Sequence, residues 1–289
     1  MGSSFVVGKI LLDAGFPPLL LVGWRFLLAA LTALAFFPIL SRAALSDCVP
    51  SNFGLRNYTT IAGIGLIQTT AAMGLLYLAM RQVSATTAAV LMFTNPIWVV
   101  TERFFVRDPV SQSRALALIL RIAAVILVLM VGPNALPSSN VLFGDVTAMA
   151  AACCWAAATI LQRRIRLSIG TWVLNLWQML AGSIALLAIA YLSGEHWPSR
   201  LTALQIGYFL WLAIPASALA YGLWLLAVKN AAGTHGGVFL SFVPLVAAVL
   251  SHLFLDSRLT GWQALGGVLT AMAVWLDSRS TPPEYVPPP

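Results

Sequence analysis

GLLYLAMRQVSATTAAVLMFTNPIWVVTERFFVRD, residues 74–108, returns at residues 222–256 as GLWLLAVKNAAGTHGGVFLSFVPLVAAVLSHLFLD. A constant offset of 148 residues sets Gly74 against Gly222, Arg81 against Lys229, Thr86 against Thr234, Pro96 against Pro244 and Asp108 against Asp256. In so apolar a chain, matching Leu, Ala and Val carry little weight. The co-registered Gly, Thr, Pro and Asp, with a basic residue at the same turn, carry more. The chain reads as two copies of one membrane unit.

Composition agrees. Of 289 residues, 60% are hydrophobic and only 9% charged, and the mean hydropathy is +0.90. A water-soluble domain of this size needs far more charge to cover its surface. The net charge of +7 would suit nucleic acid, but the basic residues stand singly between apolar runs, where they act as loop charges that orient a membrane protein. No nucleic-acid partner is implied; the partner that composition points to is the lipid bilayer. Cys48, Cys153 and Cys154 lack metal-ligand spacing and read as small packing residues.

A spanning helix needs about 20 predominantly apolar residues. Such runs fall near 17–40, 57–80, 84–105, 112–132, 141–162, 172–193, 203–228, 234–255 and 260–277. A tenth, at 2–12, is short. Setting Arg163 against Lys9, an offset of 154, aligns it with the sixth helix, which has about a dozen residues more before that point. The expectation is that the N-terminal half of helix 1 is missing from this chain. The plan is then an all-α membrane protein of ten transmembrane helices, in two five-helix repeats at 1–133 and 140–278. Five is odd, so the repeats are inverted. With the N-terminus inside, ten Arg and Lys (Arg42, Arg56, Arg103, Arg107, Arg114, Arg163, Arg164, Arg166, Lys229, Arg279) fall on the inner side, against four (Lys9, Arg81, Arg200, Arg258) outside. Both termini are therefore expected in the cytoplasm, the last residues, 279–289, forming a Pro-rich tail.

Four stretches (GSSFVVGK followed by PPLLLVGWRFLLAAL; LYLAMRQVSATTAAVLMFTNPIWVV; GDVTAMAAACCWAAATILQRR; and AYGLWLLAVKNAAGTHGGVFLSFVPLVAAVLSHLFLDSRLTGWQALGGVL) go further. Across nearly its whole length the chain resembles the EamA-type transporters of the drug/metabolite transporter superfamily. The resemblance implies ten helices, inverted repeats, secondary transport of small metabolites, and a central cavity between helices 1–4 and 6–9 with helices 5 and 10 peripheral.

Transport needs a cavity lined by groups the solute can use in place of water. Asn95-Pro96 in helix 4 and Pro244 in helix 9 read as a paired hinge that frees backbone carbonyls beside the substrate, against a simple packing kink. Asn95 offers both donor and acceptor. Tyr77 and Trp98 in the first half, and Trp155, Tyr221 and Trp224 in the second, are mid-span aromatics. Trp155 and Tyr221 lie beside small residues and read either as pocket walls or as core packing. Gln68 with Thr69, and Ser241, are weaker polar candidates. Arg25 looks, by the family's RF motif, like a structural or gating residue, and could also pair a substrate carboxylate. Glu102 and Arg103 snorkel. Asp145 is expected to cap helix 6. His252, toward the outer end of helix 9, reads as a proton relay or, more simply, as a hydrogen-bonded side chain, and Arg121 in helix 5 has no account.

No P-loop, HExxH or GxSxG is present, so neither an enzyme nor an ATP-driven pump is indicated, and no cofactor is implied. The expected function is export of amino acids or similar small metabolites by alternating access, as a monomer or weak homodimer. The alternatives are drug or organic-cation efflux, and a non-transporting membrane scaffold or lipid-handling protein.

Overall fold

The computed structural model of the protein describes residues 2–41, 54–94, 98, 115–117, 119–120, 122–124, 127, 139–164, 171–220, 223, 243–255 and 261–279. Ten helices run through them: α1 Ser3–Asp13, α2 Pro18–Ser41, α3 Leu55–Met80, α4 Ala85–Met92, α5 Ala115–Ala124, α6 Ser139–Arg164, α7 Thr171–Leu192, α8 Ala203–Leu219, α9 Val243–Leu255 and α10 Gly261–Arg279. Four of these, α2, α3, α6 and α7, are long and apolar enough to cross a membrane.

The helix ends follow local chemistry. Pro18, lacking a backbone N–H, begins α2, where a missing donor costs nothing. The next donors, Leu19 N and Leu20 N, are taken by the Glu195 carboxylate at 3.4 and 2.7 Å. Glu195 lies just past the end of α7, so α2 and α7 run antiparallel. Ser84 caps α4 by accepting from Thr87 N at 3.1 Å. Thr202 and Gln205 form a reciprocal capping box on α8. The turn after α1 needs a left-handed residue, supplied by Gly15 at φ 89°.

Two helices leave α-geometry. α3 widens into a π-helix over Leu66–Met73, and α8 does so over Ile214–Leu219. The two segments begin at positions related by the 148-residue offset of the sequence repeat. In α8 the local cause is Pro215, which removes one donor from the ladder; α3 has no proline there.

Packing closes a ring. α6 lies on α3, α3 on α7, α7 on α2, α2 on α8, α8 on α1, α1 on α9, α9 on α4, and α4 on α6. Exchanging each helix for the one five places along leaves every neighbour relation of this ring unchanged. α10 packs on α9 and α4, outside it.

Small residues set the closest approach, as expected where no water drives helices together. A Cβ on Gly65 would lie 2.5 Å from the Gln178 carbonyl oxygen, and one on Gly182 would overlap Thr69 and lie 2.5 Å from Gly65 O. α3 and α7 thus meet backbone to backbone. Thr70 adds a bond across the joint, donating to Gly182 O at 2.8 Å.

Gly182→Ala should lower the apparent melting temperature in detergent by several degrees, an overpacking cost on the order of 1–3 kcal/mol. Gly63→Ala, two residues before Gly65 in α3 and with open space around it, should leave it unchanged or slightly raised. Equal melting of the two variants would show that the α3–α7 joint is not tight.

Candidate functional site

Arg25 lies in the second turn of α2 and is only 4% exposed. Its Nε donates to Ser217 Oγ at 2.8 Å and its Nη1 to the Tyr77 hydroxyl at 2.6 Å. Three helices, α2, α3 and α8, therefore meet at one guanidinium. Its carbon stands 5.0 Å from the Phe26 ring centre and 5.7 Å from that of Tyr77, within cation–π range. Ser217 sits in the π-segment of α8, where its hydroxyl donates back to Leu212 O at 2.8 Å. That bond turns a lone pair toward Arg25. Room for the Tyr77 hydroxyl comes from Gly8 of α1, where a Cβ would lie 2.6 Å from it.

Removing a guanidinium from water costs several kcal/mol unless an anion compensates. Among the described residues no carboxylate is paired with Arg25; Lys9 and Asp13 pair with each other at 3.1 Å. The partners of Arg25 are a phenol and an alcohol. Such a site holds the charge in place and leaves its affinity for a carboxylate unspent.

A cavity opens beside this group, lined by Arg25, Tyr77, Ser4, Phe5, Met73, Leu76, Met80, Met92, Phe93, Trp155, Ala216 and Val243. Trp155 is half-buried, and its ring meets Phe93 edge-on at 6.1 Å. The cavity volume is about 40 Å³. That is room for a few water molecules at most.

Gln68, in the π-segment of α3, lies in a second and smaller space of about 10 Å³, with Phe26, Thr69, Met73, Asn175, Gln178 and Met179. Gln162 of α6 donates through Nε2 to Gln68 Oε1 and also to Gln178 Oε1, the latter at 3.3 Å. The Nε2 of Gln178 is buried and meets no acceptor among the described residues. An orphaned donor of this kind costs about 1–3 kcal/mol. Met73 lines both spaces.

Of the residues expected from sequence, Arg25, Tyr77 and Trp155 come together at the first cavity and Gln68 lies in the second. Asn95, Pro96, Tyr221, Ser241 and Arg121 lie outside the described residues, and of Pro244 only its place in the first turn of α9 is described. Asp145 does not cap α6: the helix begins at Ser139, and Asp145 is buried in its second turn with Oδ1 unpartnered among the described residues. The apolar run already begins at 141, ahead of Asp145, but the GD pair looks like a helix start.

Ser217, Gln162, Gln178 and Asn175 escaped the sequence reading. A signal existed for two of them. The 148-residue offset sets Ser217 against Thr69, and an offset of 153 sets GWRFLL, residues 23–28, against LWQMLA, residues 176–181, pairing Arg25 with Gln178.

Comparison with known proteins fits this geometry. A solved crystal structure superposes with a TM-score of 0.64 over 95% of this chain and 94% of its own, at 17% identity, a likeness of fold. An uncharacterized transporter of Archaeoglobus fulgidus is 27% identical over 275 residues, 95% of this chain and 92% of its own length. The Escherichia coli K12 protein named "Probable amino-acid metabolite efflux pump" is 27% identical over 96% of this chain and 90% of its own. The uncharacterized inner membrane transporter YedA of the same strain is 25% identical over 94% and 86%. The family description "EamA-like transporter family" matches residues 1–130 and 142–278. Repeated helical halves, long apolar helices and these matches agree: this multi-pass membrane protein belongs to the EamA-like transporter family, and so to transporters rather than enzymes.

Proposed function

We propose that the protein is a secondary transporter that exports amino acids, or similar small metabolites bearing a carboxylate, across the cytoplasmic membrane by alternating access. The observation that carries this reading is Arg25, a buried guanidinium beside an aromatic-lined cavity with only hydroxyl partners among the described residues. A solute carboxylate supplies the missing anion. The rings of Trp155 and Phe93 offer faces for an ammonium group, and Met73, Leu76 and Met80 offer apolar wall for a side chain. A cationic drug would instead meet a like charge at the centre of its site, which weighs against organic-cation efflux.

In this reading Asn95, Tyr221 and Ser241 complete the set around the solute, and the halves, 1–133 and 140–278, rock about Pro96 and Pro244. The halves are inverted five-helix units with both termini cytoplasmic and the tail 279–289 beside them. The helix ring that survives exchange of halves supports it, as do the antiparallel α2 and α7 and the paired π-segments. Opening the cavity requires α2, α3 and α8 to part at Arg25, so its bonds to Tyr77 and Ser217 act as a latch that a bound carboxylate replaces.

Counterflow in proteoliposomes tests the substrate class. Vesicles loaded with unlabelled leucine, threonine or phenylalanine should take up the labelled amino acid saturably, and Arg25→Met should reduce that uptake at least tenfold. Exchange confined to organic cations, or amino-acid exchange indifferent to Arg25→Met, would overturn the reading. No exchange across a broad solute panel would favour a scaffold.

Stability tests the latch. Tyr77→Phe keeps the ring but strands a donor of the buried guanidinium, and should cost about 1.5–3 kcal/mol in denaturant unfolding in detergent. Tyr191→Phe loses only an exposed bond from Trp24 Nε1 at 3.3 Å and should stay within about 0.5 kcal/mol of the parent. Equal losses would rule the latch out.

A further inference from the structure

Gln178 is 3% exposed, and the hydrogen bonds around it are directional. The carbonyl oxygens of Gln68 and Gln178 both accept from Gln162. That arrangement leaves the Gln178 N–H without a partner among the described residues, at the edge of the second cavity. What the Gln178 N–H lacks is a hydrogen-bond acceptor. Its 10 Å³ matches one oxygen-sized group.

Its place in the fold indicates where that oxygen comes from. Gln178 occupies in α7 the position that Arg25 occupies in α2, by the 153-residue offset, and Thr69 beside it is the counterpart of Ser217. Each site therefore faces a donor on α2 or α7 toward the π-segment of the other half. Because α2 and α7 are antiparallel and each donor lies seven residues into its helix, the two sites stand toward opposite ends of the bundle. Met73 lines both, and Phe26 connects the Arg25 guanidinium to the second space. An unbranched thioether is the wall most easily moved between them.

We propose that the amide pocket at Gln178 is a second station for the transported solute, taking a carboxylate or carbonyl oxygen that Arg25 has released or is about to receive. This rests on the transport reading above. The pocket carries no charge, so it holds the anion less firmly than Arg25, and the solute is not trapped on its way out.

The test uses the full chain in right-side-out and inside-out vesicles, varying labelled leucine, threonine or phenylalanine on one face at a time. Gln178→Leu removes the donor. Gln178→Glu keeps the shape but substitutes a negative acceptor, and decides the matter if Gln178→Leu fails to assemble. At the face nearer Gln178, the half-saturating concentration should rise about tenfold for Gln178→Leu and further for Gln178→Glu. At the other face it should stay within twofold of the parent. Unchanged half-saturation at both faces, or an equal loss at both with a lowered melting temperature, would overturn the second station while leaving the transport reading intact. If the parent chain exchanges no amino acid at either face, the transport reading fails first and takes the station with it.

Discussion

The backbone contact between α3 and α7 constrains everything around it. Gly65 and Gly182 carry no Cβ, so the backbones of α3 and α7 meet directly, Gly65 against Gln178 and Gly182 against Thr69. In lipid, where association relies on close packing and interhelical hydrogen bonds, such a joint fixes α7, and α7 in turn positions α2. Arg25 reaches Tyr77 and Ser217 because α2 is held there. A bulkier joint would move the guanidinium away from both partners.

Two polar centres result, and their difference matters more than their likeness. One is a permanent charge satisfied by neutral hydroxyls. The other is an uncharged amide network with a surplus donor. Both ask for an electron-rich ligand, but with unequal strength, since bonds to charged groups exceed neutral ones roughly twofold. The π-segments give both centres their geometry. A widened turn is the usual mark of a functional distortion in a helix, and here it brings Ser217 to Arg25 and Gln68 to Gln162.

Much of the fold was legible in the sequence. The recurrence of residues 74–108 at 222–256 implied repeated halves, and the apolar runs at 57–80, 141–162 and 172–193 match α3, α6 and α7 within two residues at either end. The hydropathy that reveals a span is blind to its winding, so neither π-segment could be read; Pro215 was visible, but nothing in LIQTTAAM marked the other. At the site, Arg25, Tyr77 and Trp155 stood out as polar or aromatic residues in apolar runs. That logic fails for Gln178, whose neighbours Trp177 and Met179 read as ordinary helix, and whose meaning emerges only when α7 is laid on α2. Asp145 was misplaced because GD looks like a helix start, while the true start, Ser139, precedes it by a full turn and more.

The Arg25 centre also has a history within each molecule. Tyr77 follows it by 52 residues, but Ser217 follows by 192. At synthesis rates of about 5–20 residues per second, roughly 10–40 s separate the emergence of Arg25 from that of its second partner. Until Tyr77 emerges neither of the two bonds can form, and from then until Ser217 emerges one of them stays unmade. A guanidinium in that state is costly in hydrocarbon and tolerable near the insertion machinery or a water defect. Arrival of α8 supplies Ser217 and completes the site.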